Sequence, residues 1–448
     1  MTREGRSVMM GIVTLGIVHV VLVNVPLLLW DPAASVFRSL WNYFHFVAYD
    51  DSWAIMNHAL EYLHIPAIRE MFHDQPIYQV IFFDQHVKFL YPLTSLLFFE
   101  PIRLAQGTIV VEDSILNIFS WLAVAVSVGL ILRRQERLLS LSPTQGSETP
   151  RRELALVAAG VILGLSYFPL QDGFMLGQVQ TWIDVLVALA VLAWIQDSRV
   201  AAGVLIGLAS LIKPQFLLFL PWSLIRRDWH FMKSQAATVA CLGALAVAVY
   251  GWSNNLGYLE VLRYVSMRGE TTYANQSVNG LLNRAFFNGE NLRWDEHQYP
   301  PFQPVVYGVT LLTSILLAAS ALLSKSGSND KNLSALDLGI AGFSFTLASP
   351  IVWWHHYGVL LPLYAMILPI ALRSTDILIR RLGSALLALS FILTANNFDF
   401  LNYTAASRLN FMQSYSLFGA LIGLGVMYWM RQVHRRQPFK QPALTVSQ

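Results

Sequence analysis

The chain has 448 residues, of which 55% are hydrophobic and 13% charged, with a formal net charge of +3 and one cysteine. A soluble globule carries about 25% charged residues, so a soluble fold is excluded; so small a positive balance, spread over short loops, excludes a nucleic-acid partner as well. The lone Cys241 has no second cysteine with which to close an intramolecular disulfide.

The first apolar run, Met9 to Trp30, follows "TREGRS". It exceeds the roughly 7–15-residue core of a cleaved signal peptide and reads as a retained span with its N-terminus in the cytoplasm. Next comes "FVAYDDSWAIMNHALEYL". Here Asp50 and Asp51 either cap a helix or supply a general base at the membrane surface, partly desolvated by Tyr49 and Trp53. In "FFDQHVKFLYPLTSLLF", His86 and Lys88 either snorkel at headgroup level or meet a lipid phosphate.

Basic residues at 133–137, 151–152, 226–233, 325–331, 373–381 and 431–440 mark the cytoplasmic side. Between them the expected spans are 110–132, 153–170, 178–196, 234–253, 302–323, 335–350, 354–372, 383–398 and 414–430. The stretch 89–106 reads as a partial insertion, because a full crossing there would put the basic 133–152 loop outside. The stretch 200–225 starts and ends near cytoplasmic charge and contains Pro214, which predicts a hairpin that dips into the membrane and returns. Residues 31–88 and 254–301 become two long external segments of one domain, 1–448, with 433–448 as a cytoplasmic tail.

Three further stretches contain candidate chemistry. Gly177 and Gln178 open a span that holds Asp184, and Lys213 lies within "LASLIKPQF". Charges inside a membrane pair or serve function, so Lys213 either pairs with Asp184 or faces an anionic phosphate. In "TTYANQSVNGLLNR", Asn275, Gln276 and Arg284 suit sugar hydroxyls and phosphate oxygens, or else form a capped polar loop. In "LASPIVWWHHYGVLLP", Trp354, His355 and His356 form either an aromatic belt with satisfied histidines or a set of imidazole donors beside a sugar-stacking ring. No HExxH or CxxC spacing points to zinc.

Taken in order, Asp50/Asp51, "FLYPL", "GQVQ" with "LIKPQ", "NQSVNGLLNR" and "SPIVWWHHY" resemble the motif series of glycosyltransferase family 87, enzymes of the C-type membrane glycosyltransferase superfamily. "YPL" lacks the family's second proline, and "GQVQ" has glutamine where asparagine is usual; neither change removes a group the chemistry needs. The resemblance implies an all-α, polytopic helical membrane protein with about 10–13 membrane helices. It also implies transfer of a sugar, mannose, from polyprenyl phosphate to a lipid or glycan acceptor, with inversion, on the external face of a bacterial cytoplasmic membrane. Asp51 would be the base, since "SWAIMNHAL" after it matches the family's helix, with Asp50 as the alternative. Lys213, Arg284, His355, His356, Gln178, Lys88, Asn275, Gln276 and Trp354 would hold the donor's phosphate and sugar. No cofactor and no metal are expected, because a protein cation can meet the departing phosphate. Two other readings stay open. A lipid or sugar transporter needs polar groups near the midplane and balanced loops; an envelope-glycan polymerase differs mainly in taking larger lipid-linked substrates.

Overall fold

The apolar runs fold as helices, and what interrupts them is glycine, proline and buried charge. A computed structural model describes residues 11–21 apart from 13 and 20, 51–105, 109–139, 150–324 apart from 296, and 330–436. Asp50, the 140–149 part of the polar linker and the tail beyond 436 lie outside the described residues. Most of the first expected span, 9–30, lies outside the described residues; each expected span from 110 onward coincides with a helix, from Ile109–Leu139 and Pro150–Ser166 through Gln180–Ile195, Trp229–Tyr250, Pro304–Leu323 and Lys331–Leu347 to Leu360–Leu372, Ser384–Thr394 and Tyr415–Arg436. The only β pairing among the described residues is a single antiparallel bridge between Asn275 and Trp353.

Five of these segments are long and apolar enough to cross a membrane, among them Trp354–Leu372 and Asn410–Arg436; the pair Glu153–Ser166 and Phe168–Met175, bent by 52°, makes a sixth. This is fewer than the run count suggested, for a physical reason. At 1.5 Å per residue, the 16-residue Gln180–Ile195 helix rises only about 24 Å, short of a hydrocarbon core of about 30 Å. Helices of this height stop inside the protein, where other groups satisfy their free backbone ends. The expected hairpin has this form: helix Arg199–Ile212 ends at Lys213, a 3₁₀ turn Pro214–Leu218 reverses the chain, and helix Phe219–Arg226 returns it. The 89–106 stretch is likewise no span; its 3₁₀ turn Leu93–Phe98 packs at the hairpin tip, where Thr94 Oγ1 donates to Leu211 O at 2.5 Å.

Burial sorts the long helices into inner and outer ones. In Trp354–Leu372, 89% of the apolar window is buried, against 11% in Trp229–Tyr250 and 17% in Pro304–Leu323. A helix that is apolar all round yet barely covered by protein is one that meets lipid. Close packing relies on small residues. A Cβ on Gly160 would sit 2.4 Å from Gly129 Cα, so the Ile109–Leu139 and Pro150–Ser166 helices touch backbone to backbone.

Ion pairs made mainly by arginine cluster at one end of the bundle. Arg133 and Arg137 bond Glu153, Arg373 bonds Glu136, Lys331 bonds Asp197, and Arg226 and Arg431 share Asp337. Helix Gln180–Ile195 runs from the opposite end to this one, and so does Tyr415–Arg436. The other candidate residues lie at that opposite end.

Candidate active site on one glycine-closed turn

The site is organised by nine residues, Asp172 to Gln180. Helix Phe168–Met175 ends in a Schellman closure: Gln178 N donates to Gly173 O at 2.8 Å and Gly177 N to Phe174 O at 3.1 Å. Gly177 is the left-handed residue of that closure, with φ +62, a conformation costing a side-chain-bearing residue about 1–2 kcal/mol. The "GQ" pair therefore has a mechanical meaning. Glycine stops one helix and presents glutamine before the next helix begins at Gln180.

Three ionisable groups meet this turn. Asp51, first residue of helix Asp51–His64, donates its backbone N–H to Leu176 O at 3.3 Å and accepts at Oδ2 from Gln178 Nε2. At a helix N-terminus, its carboxylate gains from the positive end of the helix dipole. Ser52 clamps the arrangement, donating to Gln178 Oε1 at 2.9 Å while accepting from Val179 N at 3.0 Å. Tyr91, from "FLYPL", donates to the same Gln178 oxygen at 3.3 Å. Two residues on, Gln180 Oε1 accepts from Lys213 Nζ at 2.6 Å while Gln180 Nε2 donates to Asp184 Oδ1 at 2.7 Å. At the other end of the turn, Asp172 Oδ2 lies 3.1 Å from His355 Nδ1.

Of the two alternatives for Lys213, the pair with Asp184 is bridged and not direct: an amide stands between them. Asp184 is wholly buried, its Oδ2 has no hydrogen-bond partner, and a Cβ on Gly358 would meet that oxygen at 2.1 Å. The carboxyl group supports the turn Trp354–Val359 that holds both histidines. His355 Nε2 and His356 Nδ1 are buried with no hydrogen-bond partner. A cavity of about 460 Å³ opens here, lined by Tyr91, Lys213, Trp353 and His356, with Arg263 at its side. The rest of its wall is mainly apolar, including Leu90, Ile212, Leu218 and Phe345. It offers a cation and an imidazole at one side and a hydrocarbon surface along the remainder.

Other candidates serve differently from the sequence expectation. Arg284 is fully buried; Nη1 donates to the carbonyls of Thr271, Thr272 and Asn275 at 2.7 to 3.2 Å, and Nη2 to Ser414 Oγ at 2.6 Å. Burial pushes its guanidinium down to about 9, so it stays charged at neutral pH, but its donors hold a loop and none lines the cavity. Asn275 and Gln276, both 0% exposed, are also committed to the scaffold. Asn275 Oδ1 accepts from Val352 N at 2.9 Å, Gln276 N donates to Val352 O at 2.7 Å, and Tyr357 Oη donates to Gln276 O at 2.6 Å. "NQS" therefore pins "PIVWWHHY" in place, and two motifs far apart in sequence form one unit. Lys88 meets a carboxylate instead of a phosphate: Nζ donates to Glu270 Oε1 at 2.6 Å, with both side chains nearly sealed from solvent. Trp354 is buried edge-on against Phe168 and Tyr273, and it is Trp353 that lines the cavity. Sequence reasoning passed over Ser52, Asp172, Gln180, Glu270 and Trp353; only their adjacency to singled-out residues could have flagged them.

The glycosyltransferase family 87 model matches residues 89–350, which contain the 172–180 turn, Lys213 and the "NQS" loop, while Asp51 and the histidine pair lie outside that match. The chain is 27% identical over 307 residues to a polyprenol-phosphate-mannose-dependent alpha-(1-2)-phosphatidylinositol mannoside mannosyltransferase of Mycolicibacterium smegmatis (strain ATCC 700084 / mc(2)155), covering 67% of this chain and 66% of that protein. It is 26% identical over 306 residues to a polyprenol-phosphate-mannose-dependent alpha-(1-2)-phosphatidylinositol pentamannoside mannosyltransferase of the same strain, covering 65% of each. The match thus spans just under two thirds of both relatives' own lengths. With the family pattern running over more than half of its residues and through the turn that organises its site, the chain belongs to glycosyltransferase family 87.

Proposed function

We infer that the protein transfers a sugar, mannose, from a polyprenyl phosphate to a glycolipid or glycan acceptor, with inversion at the anomeric carbon. One observation supports this above the others: a carboxylate, an ammonium and an imidazole are all held by residues 172–180, beside a cavity that is otherwise largely apolar. In the reaction Asp51 removes the acceptor hydroxyl's proton, and that oxygen attacks C1 as the bond from C1 to the phosphate oxygen breaks. Polyprenyl phosphate leaves with the electron pair. Lys213 and His356 face the growing negative charge, and donors set in advance for such charge commonly supply the largest catalytic term. Gln178, held by Ser52 and Tyr91, is a positioning residue: it fixes the Asp51 carboxylate. The polyprenyl chain lies along the apolar part of the cavity.

The site faces the external side in this reading, because the arginine-rich end of the bundle is opposite and basic loops stay in the cytoplasm. The mannose donor and the glycolipid acceptor follow the activities of the two mycobacterial relatives. Purified protein incubated with a panel of labelled polyprenyl-phosphate sugars and membrane lipid extract tests the proposal. Label should enter lipid from the mannose donor; no incorporation from any donor would overturn it.

A further inference from the structure

A second, larger cavity lies at the same end of the bundle, of about 680 Å³, within the range of ligand sites. Its wall comes from the start of the FLYPL segment, from residues 270–272 and from 289–301. Lys88 and Glu270 are buried against it, and the Lys88 ammonium sits 4.9 Å from the Trp294 ring centroid and 4.6 Å from that of Tyr299. A third contact, Lys88 Nζ to Asp295 O at 2.6 Å, ties the 294–299 loop down. Thr272 Oγ1 and Tyr299 Oη, both from lining residues, are buried with no hydrogen-bond partner. Thr272 is only 6% exposed.

The chemistry of this wall selects among ligands. Its charged side chains carry both signs, Lys88 and Arg293 against Glu270, Glu290 and Asp295. The one buried cation is already neutralised by Glu270, so an anion entering here would meet more carboxylates than available cations. Hydroxyl groups, which donate and accept at once, fit a wall that alternates acids, hydroxyls and basic groups. Trp294, 45% exposed, leaves ring surface on which a sugar face can pack.

Position links this cavity to the reaction. Glu270 Oε2 accepts from Trp353 Nε1 at 2.7 Å, and Trp353 lines the apolar cavity, so one carboxylate–indole contact forms a wall common to both. Lys88 is three residues from Tyr91, at most about 10 Å of chain, and Tyr91 bonds the glutamine that holds Asp51.

We propose that this second cavity is the acceptor subsite and takes the neutral, hydroxyl-rich saccharide part of the acceptor; the assignment rests on the transfer reaction proposed above. Trp294 stacks on a sugar ring, Thr272 and Tyr299 donate to its hydroxyls, and the saccharide's free end projects past Trp353 toward Asp51.

The test uses the purified full chain and two soluble probes, methyl mannoside and inorganic phosphate, with saturation-transfer NMR for binding and steady-state kinetics for transfer. Trp294→Ala should weaken saccharide binding and raise the acceptor KM by about tenfold, leaving the donor KM within about twofold. Thr272→Val, which removes only the hydroxyl, should raise the acceptor KM by about threefold. Saccharide binding and acceptor KM unmoved in both variants, or saccharide displaced by phosphate, would overturn the assignment. Saccharide binding that depends on Trp294 in a chain that transfers no sugar would leave a saccharide site in this cavity while overturning both the transfer reaction and the acceptor role.

Discussion

At the arginine-rich end of the bundle, buried cations meet carboxylates: Arg373 bonds Glu136, which is 1% exposed, and Arg226 and Arg431 both reach Asp337. At the other end, Lys213 meets a neutral amide, Asp184 Oδ2 has no partner, and two imidazoles each keep a buried nitrogen unbonded. The first arrangement fixes helices in register. Charges there have partners already and are of no use to a ligand. Buried polar atoms without a hydrogen bond occur at both ends, each costing about 1–3 kcal/mol, but at the first they are single atoms of ion-paired arginines, such as Arg226 Nε and Arg431 Nε, while at the second they belong to Asp184, His355 and His356. In the function proposed above, a phosphate and a sugar complete the set at the second end. The site end has committed charges of its own, Lys88 with Glu270 and Arg284 with three carbonyls, so the contrast lies in Lys213, Asp184 and the two histidines.

The largest effect should come from the site end. Asp51→Asn keeps the shape and an acceptor for Gln178 but removes the base, so transfer should fall by about 10²–10⁴-fold. Thermal melting in detergent should be nearly unchanged. Transfer at the wild-type rate would take Asp51 out of the role and turn attention to Asp50.

A pair of substitutions sharpens the contrast between the ends. Lys213→Met should cut kcat by about 10²–10³-fold and weaken donor use, yet cost little stability, since it deletes a buried cation with no carboxylate directly bonded to it. Arg373→Met breaks a partly buried pair and strips the sealed Glu136 of its cation, which should cost about 3 kcal/mol of stability, with kcat/KM unchanged in the protein that remains folded. Melting curves and donor saturation curves on both variants decide the matter. If Lys213→Met unfolds the protein and Arg373→Met slows transfer, the division of labour is reversed.

How much of this was legible in the sequence depends on what kind of contact was involved. Apolar runs and arginine clusters are local, so each expected span from 110 onward met a helix, 200–225 folded as a helix–turn–helix about Pro214, and 89–106 formed no long helix. The charged candidates could be picked out because ionisable groups are conspicuous in an apolar chain, and Asp51, Lys213 and His355 meet at one turn. What stayed hidden was who holds whom. Nothing local in "NQSVNGLLNR" says that its amides would be spent on the backbone at 350–353, or that Arg284 would face three carbonyls. Lys88 looked like an interfacial lysine because Glu270, its partner, is 182 residues away. Charge and polarity are written residue by residue; commitment to a partner is decided by tertiary packing.

Gly177→Ala probes the junction itself. The left-handed closure should cost about 1–2 kcal/mol with a Cβ present, a modest loss of melting temperature. Part of that strain falls on the next residue, Gln178, so turnover should drop more than stability alone explains. A variant that loses stability but retains full turnover would show that the closure only ends a helix and does not aim the glutamine.

The smallest effect expected is none. In this reading the leaving phosphate's charge is met by Lys213 with His356 beside it, both lining one cavity. A preset cation in a poorly solvated site interacts far more strongly than it would in water, which lets it do what a divalent ion does in many phosphate-departing reactions. Turnover measured with and without EDTA should therefore agree within about twofold, the scale of assay scatter against the hundredfold effect expected of Lys213→Met. The same comparison in the Lys213→Met variant is the sharper form. If added Mg²⁺ restores its turnover, a metal can stand where the ammonium stood; if chelation abolishes wild-type turnover, Lys213 is not the principal counter-charge, and the contrast between the two ends would have to be redrawn around an ion.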